Sequence, residues 1–203
     1  MTLSNNLFRI ILSISFIFIS FSLIAEPTLE EVVVSARKVD ESVQDVPIAM
    51  SVFTSGDIED AGIERPEDFI ALTPNVVMAN TVNVGDTLVT IRGLTSTRDA
   101  ESNFAFVVDG VLQTNPNAFN RELLDIAQIE VLKGPQGALY GRNATSGAIL
   151  ITTKAPSEES ESTGVIGMGV NNSSKVQFVN SSMIGDNTYT RFSVSTRETD
   201  GEH

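Results

Sequence analysis

Few side chains in this sequence have the type and spacing that catalysis requires. The only histidine is His203, the last residue, so the chain offers neither a histidine-based triad nor a histidine metal cluster. The glycine-rich residues 134–147 lack the Gly-Lys-Ser/Thr ending of a phosphate-binding loop and the spacing of the dinucleotide fingerprint. Asp86, Asp99 and Asp109 are too scattered for an EF-hand. The sequence therefore predicts no enzyme, no cofactor and no bound metal.

The main chain offers a different kind of chemistry near the start of the sequence. Residues 32–34 are three consecutive valines, which favour extended backbone, and charged residues lie on both sides of them. Such a strand can pair with a sheet of its own chain, or it can add to the edge of a partner's sheet through main-chain hydrogen bonds. The pattern alone favours neither alternative.

The glycine-rich stretch is the most distinctive part of the chain. Two runs of β-forming residues, 129–132 and 148–153, lie on either side of Gly134, Gly137, Gly141 and Gly147. This density of glycine indicates tight turns close to another surface. The stretch fits a domain that fills the inside of a wall, but its spacing alone favours an ordinary pair of strands with a glycine-rich connector.

Composition and the first residues indicate an exported protein. The formal charge is −13, which argues against nucleic acid as a partner, and there is no cysteine. Arg9 is followed by the apolar residues 10–24 and by the small residue Ala25. This order is typical of a secretory signal peptide, and the apolar run is short for a membrane-spanning helix. We therefore assign residues 1–25 to a signal peptide and 26–44 to a flexible segment.

The mixture of short strand-like and helix-like segments in residues 45–154 predicts a small α+β domain with a mixed sheet and short helices. Ser55 is the predicted N-cap of one short helix, residues 66–72 a second helix that begins with Pro66, and residues 121–126 a helical turn. The strand candidates before the glycine-rich stretch are residues 48–53, 76–78, 87–92 and 104–108.

The composition and the residue pattern change after residue 154. Residues 155–163 are acidic, serine-rich and proline-containing, which predicts a linker. Residues 164–203 contain three segments in which apolar and polar residues alternate, separated by turn-like asparagine and glycine clusters. The alternation is typical of the strands of an outer-membrane β-barrel, and also of an ordinary antiparallel meander.

These motifs, in this order, resemble the TonB-dependent receptors of the Gram-negative outer membrane. Residues 31–36 resemble the TonB box, and residues 46–52 resemble the start of the plug domain. Further motifs of the plug are matched by Thr-Ile-Arg-Gly at 90–93, Val-Val-Asp-Gly-Val at 107–111, Ile-Glu-Val-Leu-Lys-Gly-Pro at 129–135 and Leu-Tyr-Gly-Arg at 139–142.

The resemblance implies a role for each stretch. A plug would close a transmembrane barrel, and the box would face the periplasm and bind the TonB energy transducer as an added strand. The implied TonB-binding residues are Glu31, Val32, Val33, Val34, Ser35 and Ala36. The implied plug–barrel contacts are Arg92 and Arg142. The plug signature comprises Gly93, Asp109, Gly110, Gly134, Pro135, Gly137, Tyr140 and Gly141.

The resemblance also implies that the protein is in the outer membrane, in contact with its lipid, and imports a scarce ligand such as a ferric siderophore. A complete barrel needs several hundred residues, whereas the residues after the linker suffice for three strands. We therefore expect an amino-terminal fragment or a truncated gene product. The alternative is a soluble periplasmic binding or signalling module made of a plug alone.

Overall fold

The structure is a computed structural model of the chain. It describes residues 31–80, 87–96, 101–185 and 187–200. The predicted signal peptide, Asp86 and Asp99 lie outside the described residues, as do residues 26–30 of the predicted flexible segment. Among the described residues, no helix is long and apolar enough to cross a membrane.

A five-stranded mixed sheet forms the centre of the predicted plug. Its strands lie in the order β3-β9-β10-β7-β8. They are β3 (Met50–Thr54), β7 (Phe104–Val108), β8 (Val111–Leu112), β9 (Ile126–Lys133) and β10 (Gly147–Thr153). β9 runs antiparallel to both β3 and β10, while β10 is parallel to β7. The central strands are buried over most of their length, as their apolar, β-branched sequences require.

Two smaller sheets complete the part before the linker. β4 (Val76–Asn80), β5 (Thr87–Ile91) and β6 (Leu94–Thr95) form an antiparallel sheet. Arg92 and Gly93 make the turn between β5 and β6 with φ angles of 51° and 81°. The second small sheet pairs β1 (Val33–Val34) with β2 (Glu41–Ser42). Its position decides how the predicted TonB box lies on the plug.

The helices differ from the prediction in detail. α1 (Ser55–Asp60) is capped by Thr54, one position before the predicted cap, because Thr54 and Asp57 form a reciprocal capping box. α2 (Pro66–Ala71) begins with proline as predicted, and α3 (Gly137–Tyr140) is a single turn that the sequence did not predict. A 3₁₀ helix spans Pro116–Phe119.

The predicted helical turn at residues 121–126 is wrong. Asp125 has a φ of 58°, a left-handed conformation that ends any helix at this point. Ile126 then begins β9 and pairs with Thr153 of β10. The apolar residues of this stretch therefore enter the core from a loop and a strand.

Two apolar clusters cover opposite faces of the central sheet. One cluster, beneath α1 and α2, contains Phe69, Ile129, Val131 and Ile149, together with edge-to-face contacts of Phe119 to Phe69, Phe104 and Phe106. The cluster on the other face contains Leu132, Ala148 and Leu150, and it is completed by Val34 and Ala36. The amino-terminal segment therefore supplies part of the core of the plug.

The three segments after the linker form an antiparallel sheet, here called the C-terminal sheet. Its strands are β11 (Glu161–Met168), β12 (Ser174–Met183) and β13 (Tyr189–Glu198), in that order. β11 begins before the predicted start at residue 164, because Glu161, Ser162 and Thr163 already pair with β12. The predicted antiparallel strands are thus present, with a shorter linker.

Candidate functional site

The predicted TonB box lies against the plug. Val33 and Val34 pair with Ser42 and Glu41, and the backbone N–H of Val43 donates to the carbonyl of Val32 at 3.0 Å. Of the two pairings that the sequence left open, this conformation shows the one within the same chain. One edge of the box strand is occupied by β2, so in this conformation that edge is not free to pair with an added strand.

The other edge of the box strand is held by side chains of the plug. Gln128 donates from Nε2 to the carbonyl of Val33 at 3.0 Å. The backbone N–H of Ser35 donates to Oε1 of Glu130 at 3.1 Å. Gln128 and Glu130 are alternate residues of β9 and therefore project from the same face of the sheet. Together they satisfy an acceptor and a donor that a neighbouring strand would otherwise use.

A third side chain fixes the end of the box. The hydroxyl of Tyr140 donates to the carbonyl of Ala36 at 2.8 Å. Burial raises the pKa of Tyr140 to about 12, with a smaller contribution from the negative charge of Glu130, so its hydroxyl stays protonated at neutral pH. Tyr140 belongs to the Leu-Tyr-Gly-Arg motif. Its place in the predicted plug signature thus coincides with a contact to the box.

Burial accompanies these hydrogen bonds. Val34 is 1% exposed and Ala36 is 0% exposed, and both pack against Leu132, Ala148 and Leu150. Residues 32–36 were expected to be flexible, but in this structure they are docked. The hydrophobic effect favours this docking, because alternate side chains of the box face the plug and their burial removes hydrocarbon surface from water.

Glu130 is the functional candidate that sequence reasoning missed. Its side chain is 2% exposed, and burial raises the pKa of its carboxyl group even though hydrogen bonds from Ser35 and Ala36 oppose the shift. Oε2 of Glu130 has no hydrogen-bond partner among the described residues. The available signal was an acidic residue inside the apolar run 129–132, because a buried carboxylate is rarely retained without a partner.

The signature residues mainly shape turns of the plug. Asp109 and Gly110 have φ angles of 47° and 78° and close the hairpin between β7 and β8. The carboxylate of Asp109 also accepts from the N–H of Thr153 at 2.8 Å. Gly134 and Gly141 have φ angles of 116° and 88°, which favour glycine. A Cβ at Gly134 would lie 3.0 Å from Nη1 of Arg92, so the guanidinium of Arg92 packs over this turn.

The remaining signature residues lie in the same turn region. Pro135 follows Gly134, and Gly137 begins α3, which ends at Tyr140. Arg142 follows this turn and pairs with Glu101 of the plug at 3.1 Å, both side chains being exposed. The predicted contact of Arg92 and Arg142 with a barrel wall stays a prediction.

Ion pairs join the plug and the C-terminal sheet. In the predicted contacts of Arg92 and Arg142 the plug would supply the cations, whereas in these pairs the plug supplies the acids and the strands supply the cations. Arg191 of β13 binds Asp125 through two hydrogen bonds, at 2.5 Å from Nε and 2.7 Å from Nη2, and both side chains are almost fully buried. Glu64 accepts from Lys175 at 2.9 Å and from Arg197 at 2.7 Å.

One of these contacts lowers the pKa of Glu64. The hydrogen bond from Lys175 is the main reason why the pKa of Glu64 lies below its ordinary value. The pairs between Asp125 and Arg191 and between Glu64 and the two strand cations thus attach the C-terminal sheet to the plug. In the described ranges, no group of three or more His, Asp or Glu side chains is placed to hold a metal ion.

The two faces of the C-terminal sheet have different polarity. The face toward the plug carries Lys175, Gln177, Arg191 and Arg197. The opposite face carries exposed apolar side chains, namely Ile166, Met168, Val176, Phe178, Phe192 and Val194. An apolar outer face and a polar inner face are the pattern of a transmembrane β-barrel wall.

Comparison with known proteins now identifies the class. The chain belongs to the family described as "TonB-dependent Receptor Plug Domain", whose model matches residues 42–148. The fold is therefore that of the plug, with a mixed sheet and short helices, followed by antiparallel strands that do not close into a barrel within the described residues.

Individual relatives give the same result. The pesticin receptor of Yersinia enterocolitica is 30% identical over 132 residues, which cover 64% of this chain and 19% of that protein. The vitamin B12 transporter BtuB of Vibrio vulnificus is 27% identical over 180 residues, 86% of this chain and 28% of that protein. The chain thus spans 19% to 28% of the length of these curated relatives.

Solved structures show the same fold. The ferric yersiniabactin uptake receptor FyuA from Yersinia pestis superimposes with a TM-score of 0.66 at 28% identity, over 73% of this chain and 24% of that chain. The ferripyoverdine receptor of Pseudomonas aeruginosa gives a TM-score of 0.72 over 83% of this chain and 22% of that chain. At 18% identity this second likeness concerns the fold alone. The relatives named here are receptors and a transporter, and none is named as an enzyme.

Proposed function

We propose that this chain is the amino-terminal part of a TonB-dependent outer-membrane receptor that imports a scarce ligand. One observation carries the proposal: a single chain contains a docked β-strand at residues 33–34, a plug of the TonB-dependent family, and a sheet that is polar toward the plug and apolar outward. A soluble periplasmic module would have no use for the exposed apolar face of β11–β13.

The plug closes the barrel, and the ion pairs of Asp125 and Glu64 with β12 and β13 attach it to the wall. Arg92 and Arg142 make further contacts with other parts of the wall. Both side chains lie near the glycine turns of the plug, and arginine suits such contacts because its guanidinium binds carboxylates through two parallel hydrogen bonds. The plug and the box face the periplasm.

Residues 31–36 bind TonB by adding a strand to its sheet. The support is the extended conformation of Val33 and Val34, together with a backbone whose partners are side chains and a two-residue strand. Such contacts are fewer than those of a central sheet strand, so the segment can exchange them for a partner strand. No nucleophile or proton transfer is involved.

The imported ligand is a ferric siderophore. The support comes from the relatives, which include a receptor whose name specifies ferric yersiniabactin, at 28% identity. The vitamin B12 transporter is the relative that favours a different cargo, a corrinoid. Uptake of labelled ferric siderophores compared with labelled cobalamin distinguishes the two classes of ligand.

Substitution of Val33 tests the role of the box. Val33→Pro removes one backbone N–H and fixes φ, so we expect it to abolish energised uptake while ligand binding to whole cells is unchanged. Val33→Ala keeps the N–H and is the matched control, with uptake close to that of the wild type. Normal uptake by the proline variant would show that residues 31–36 do not bind TonB.

A further inference from the structure

We propose that Lys175, Arg191 and Arg197, here called the wall cations, bind an anionic ligand in turn as it passes between the plug and the C-terminal sheet. This rests on the proposed function, the import of a ligand through a barrel that the plug closes. It adds the charge of the ligand and the residues that contact it inside the wall.

The face of the C-terminal sheet toward the plug carries an excess of positive charge. Strand alternation directs four charged side chains of β11–β13 to this face, namely the three wall cations and Glu161, whereas Glu198 projects from the opposite face. In this structure the excess is compensated by Glu64 and Asp125 of the plug. The wall therefore becomes cationic wherever the plug moves away from it.

Two of the wall cations lie side by side. Lys175 of β12 and Arg197 of β13 are directly opposite each other in the sheet. Like charges in this position repel each other, and an anion between them removes the repulsion. The carboxylate of Glu64 takes that place, because Oε1 accepts from Lys175 at 2.9 Å and Oε2 accepts from Arg197 at 2.7 Å. The pair forms a binding position for one carboxylate, which Glu64 occupies in this structure.

Arg191 forms a second anion-binding position on the same strand. It binds Asp125 through two hydrogen bonds, and its Nη1 lies 3.6 Å from Oε2 of Glu161. Arg197 follows six positions after Arg191, which is about 20 Å along a β-strand. Because the strands of a barrel cross the membrane, the two positions lie at different depths of the wall.

A cavity already lies between the plug and this part of the wall. Its volume is about 590 Å³, which is within the range of small-ligand sites, and both Lys175 and Arg191 line it. Between these two cations the lining of β12 is uncharged and consists of Gln177 and Val179. A ligand in this space would therefore have a cation near each end.

Exchange of partners allows the plug to leave without unpaired charges on the wall. Breaking a buried ion pair leaves an uncompensated charge, which is strongly unfavourable. An anionic ligand replaces the carboxylate of Glu64 or Asp125, because arginine and lysine bind carboxylates and phosphates alike. A neutral or cationic ligand makes no such replacement. The wall cations thus favour ligands that carry carboxylates or other anionic oxygen groups.

The experiment measures ion selectivity of the complete receptor, with potassium and chloride as the probes. The receptor is placed in a planar bilayer, with urea at the concentration that makes the plug sensitive to protease. The reversal potential in a KCl gradient gives the permeability ratio of Cl⁻ to K⁺. Lys175→Gln and Arg191→Gln should each lower this ratio, because charged side chains that line a pore select ions of the opposite sign. Glu64→Gln and Asp125→Asn are the matched controls: they break the same ion pairs but keep the cations, so the ratio should stay the same or rise.

An exchanged pair separates passage of the ligand from attachment of the plug. Asp125→Arg combined with Arg191→Asp keeps an ion pair between plug and wall but places an acid on the wall, so the ratio should fall below that of Arg191→Gln. A wild-type ratio in the exchanged pair, or equal ratios in the cation and acid variants, would overturn the proposal. The side chain of Arg197 is 34% exposed, so Arg197→Gln stays informative if Arg191→Gln fails to assemble.

The outcomes also separate this proposal from the proposed function. A urea-dependent current with the wild-type ratio in all the cation variants would overturn the role of the wall cations and leave the receptor a transporter. If the wild type itself gives no urea-dependent current, the plug closes no channel, and the proposed function is overturned as well.

Discussion

At the scale of single residues, side chains of the plug form hydrogen bonds with the backbone of the box, and Glu130 is the example. A carboxylate buried to 2% exposure costs free energy unless it accepts hydrogen bonds. Here the bonds come from the box, whose residues lie 95 positions away in the sequence. The sequence revealed the acidic residue inside an apolar strand, but no local pattern identifies a partner so distant along the chain.

The ionisation of Glu130 can be tested directly. Because burial raises its pKa, we expect the carboxyl group to take up its proton with a midpoint above the ordinary value of 4.5. A group whose pKa is higher in the folded state binds more protons there, so this residue lowers stability as pH rises through that midpoint. The measurement is the infrared band of the protonated carboxyl that Glu130→Gln removes. A midpoint at or below 4.5 would contradict a desolvated carboxylate.

At the scale of elements, the strands were more predictable than the helices and their contacts. Residues 104–108 are a continuous apolar run, and residues 129–132 are apolar apart from Glu130. Both stretches form buried strands. Residues 121–126 place Leu123, Leu124 and Ile126 among charged residues, a pattern that favours a helical turn, but the left-handed Asp125 makes a helix impossible there. The polarity of the ion pairs between plug and strands was also not predicted, because it depends on which side chains meet in three dimensions.

The pair between Asp125 and Arg191 should be a strong attachment of the plug. We expect a double-mutant cycle of Asp125→Asn and Arg191→Gln to give a coupling free energy of about 1–3 kcal/mol, because both side chains are almost fully buried. The measurement is the urea concentration at which the plug of the complete receptor becomes sensitive to protease.

The exposed pair of Glu101 and Arg142 provides the control for that cycle. Its side chains are 57% and 84% exposed, so its coupling should be no more than about 0.2–1 kcal/mol. Equal coupling in the two pairs would show that burial of Asp125 and Arg191 does not strengthen the attachment of the plug.

At the scale of the whole molecule, the order of parts carries the account. The box strand, the plug and the C-terminal sheet follow one another in the chain. Both the box strand and the C-terminal sheet contact the plug. A small α+β domain could be predicted from the sequence, since glycine turns and apolar strands are local signals, and the plug was predicted from the resemblance of its motifs to the family. The docking of the box could not, because it depends on side chains of β9 that pair with it only after folding.

Disulfide cross-linking in cells tests the central claim most directly. The chain has no cysteine, so one introduced at Val33 is the only thiol in the printed sequence. We expect Val33→Cys to form a disulfide with a cysteine in the strand-adding edge of TonB, in the outer-membrane fraction of energised cells. Val39→Cys, exposed but outside the box, should give no product. Products at Val39 but at none of residues 31–36 would contradict the account.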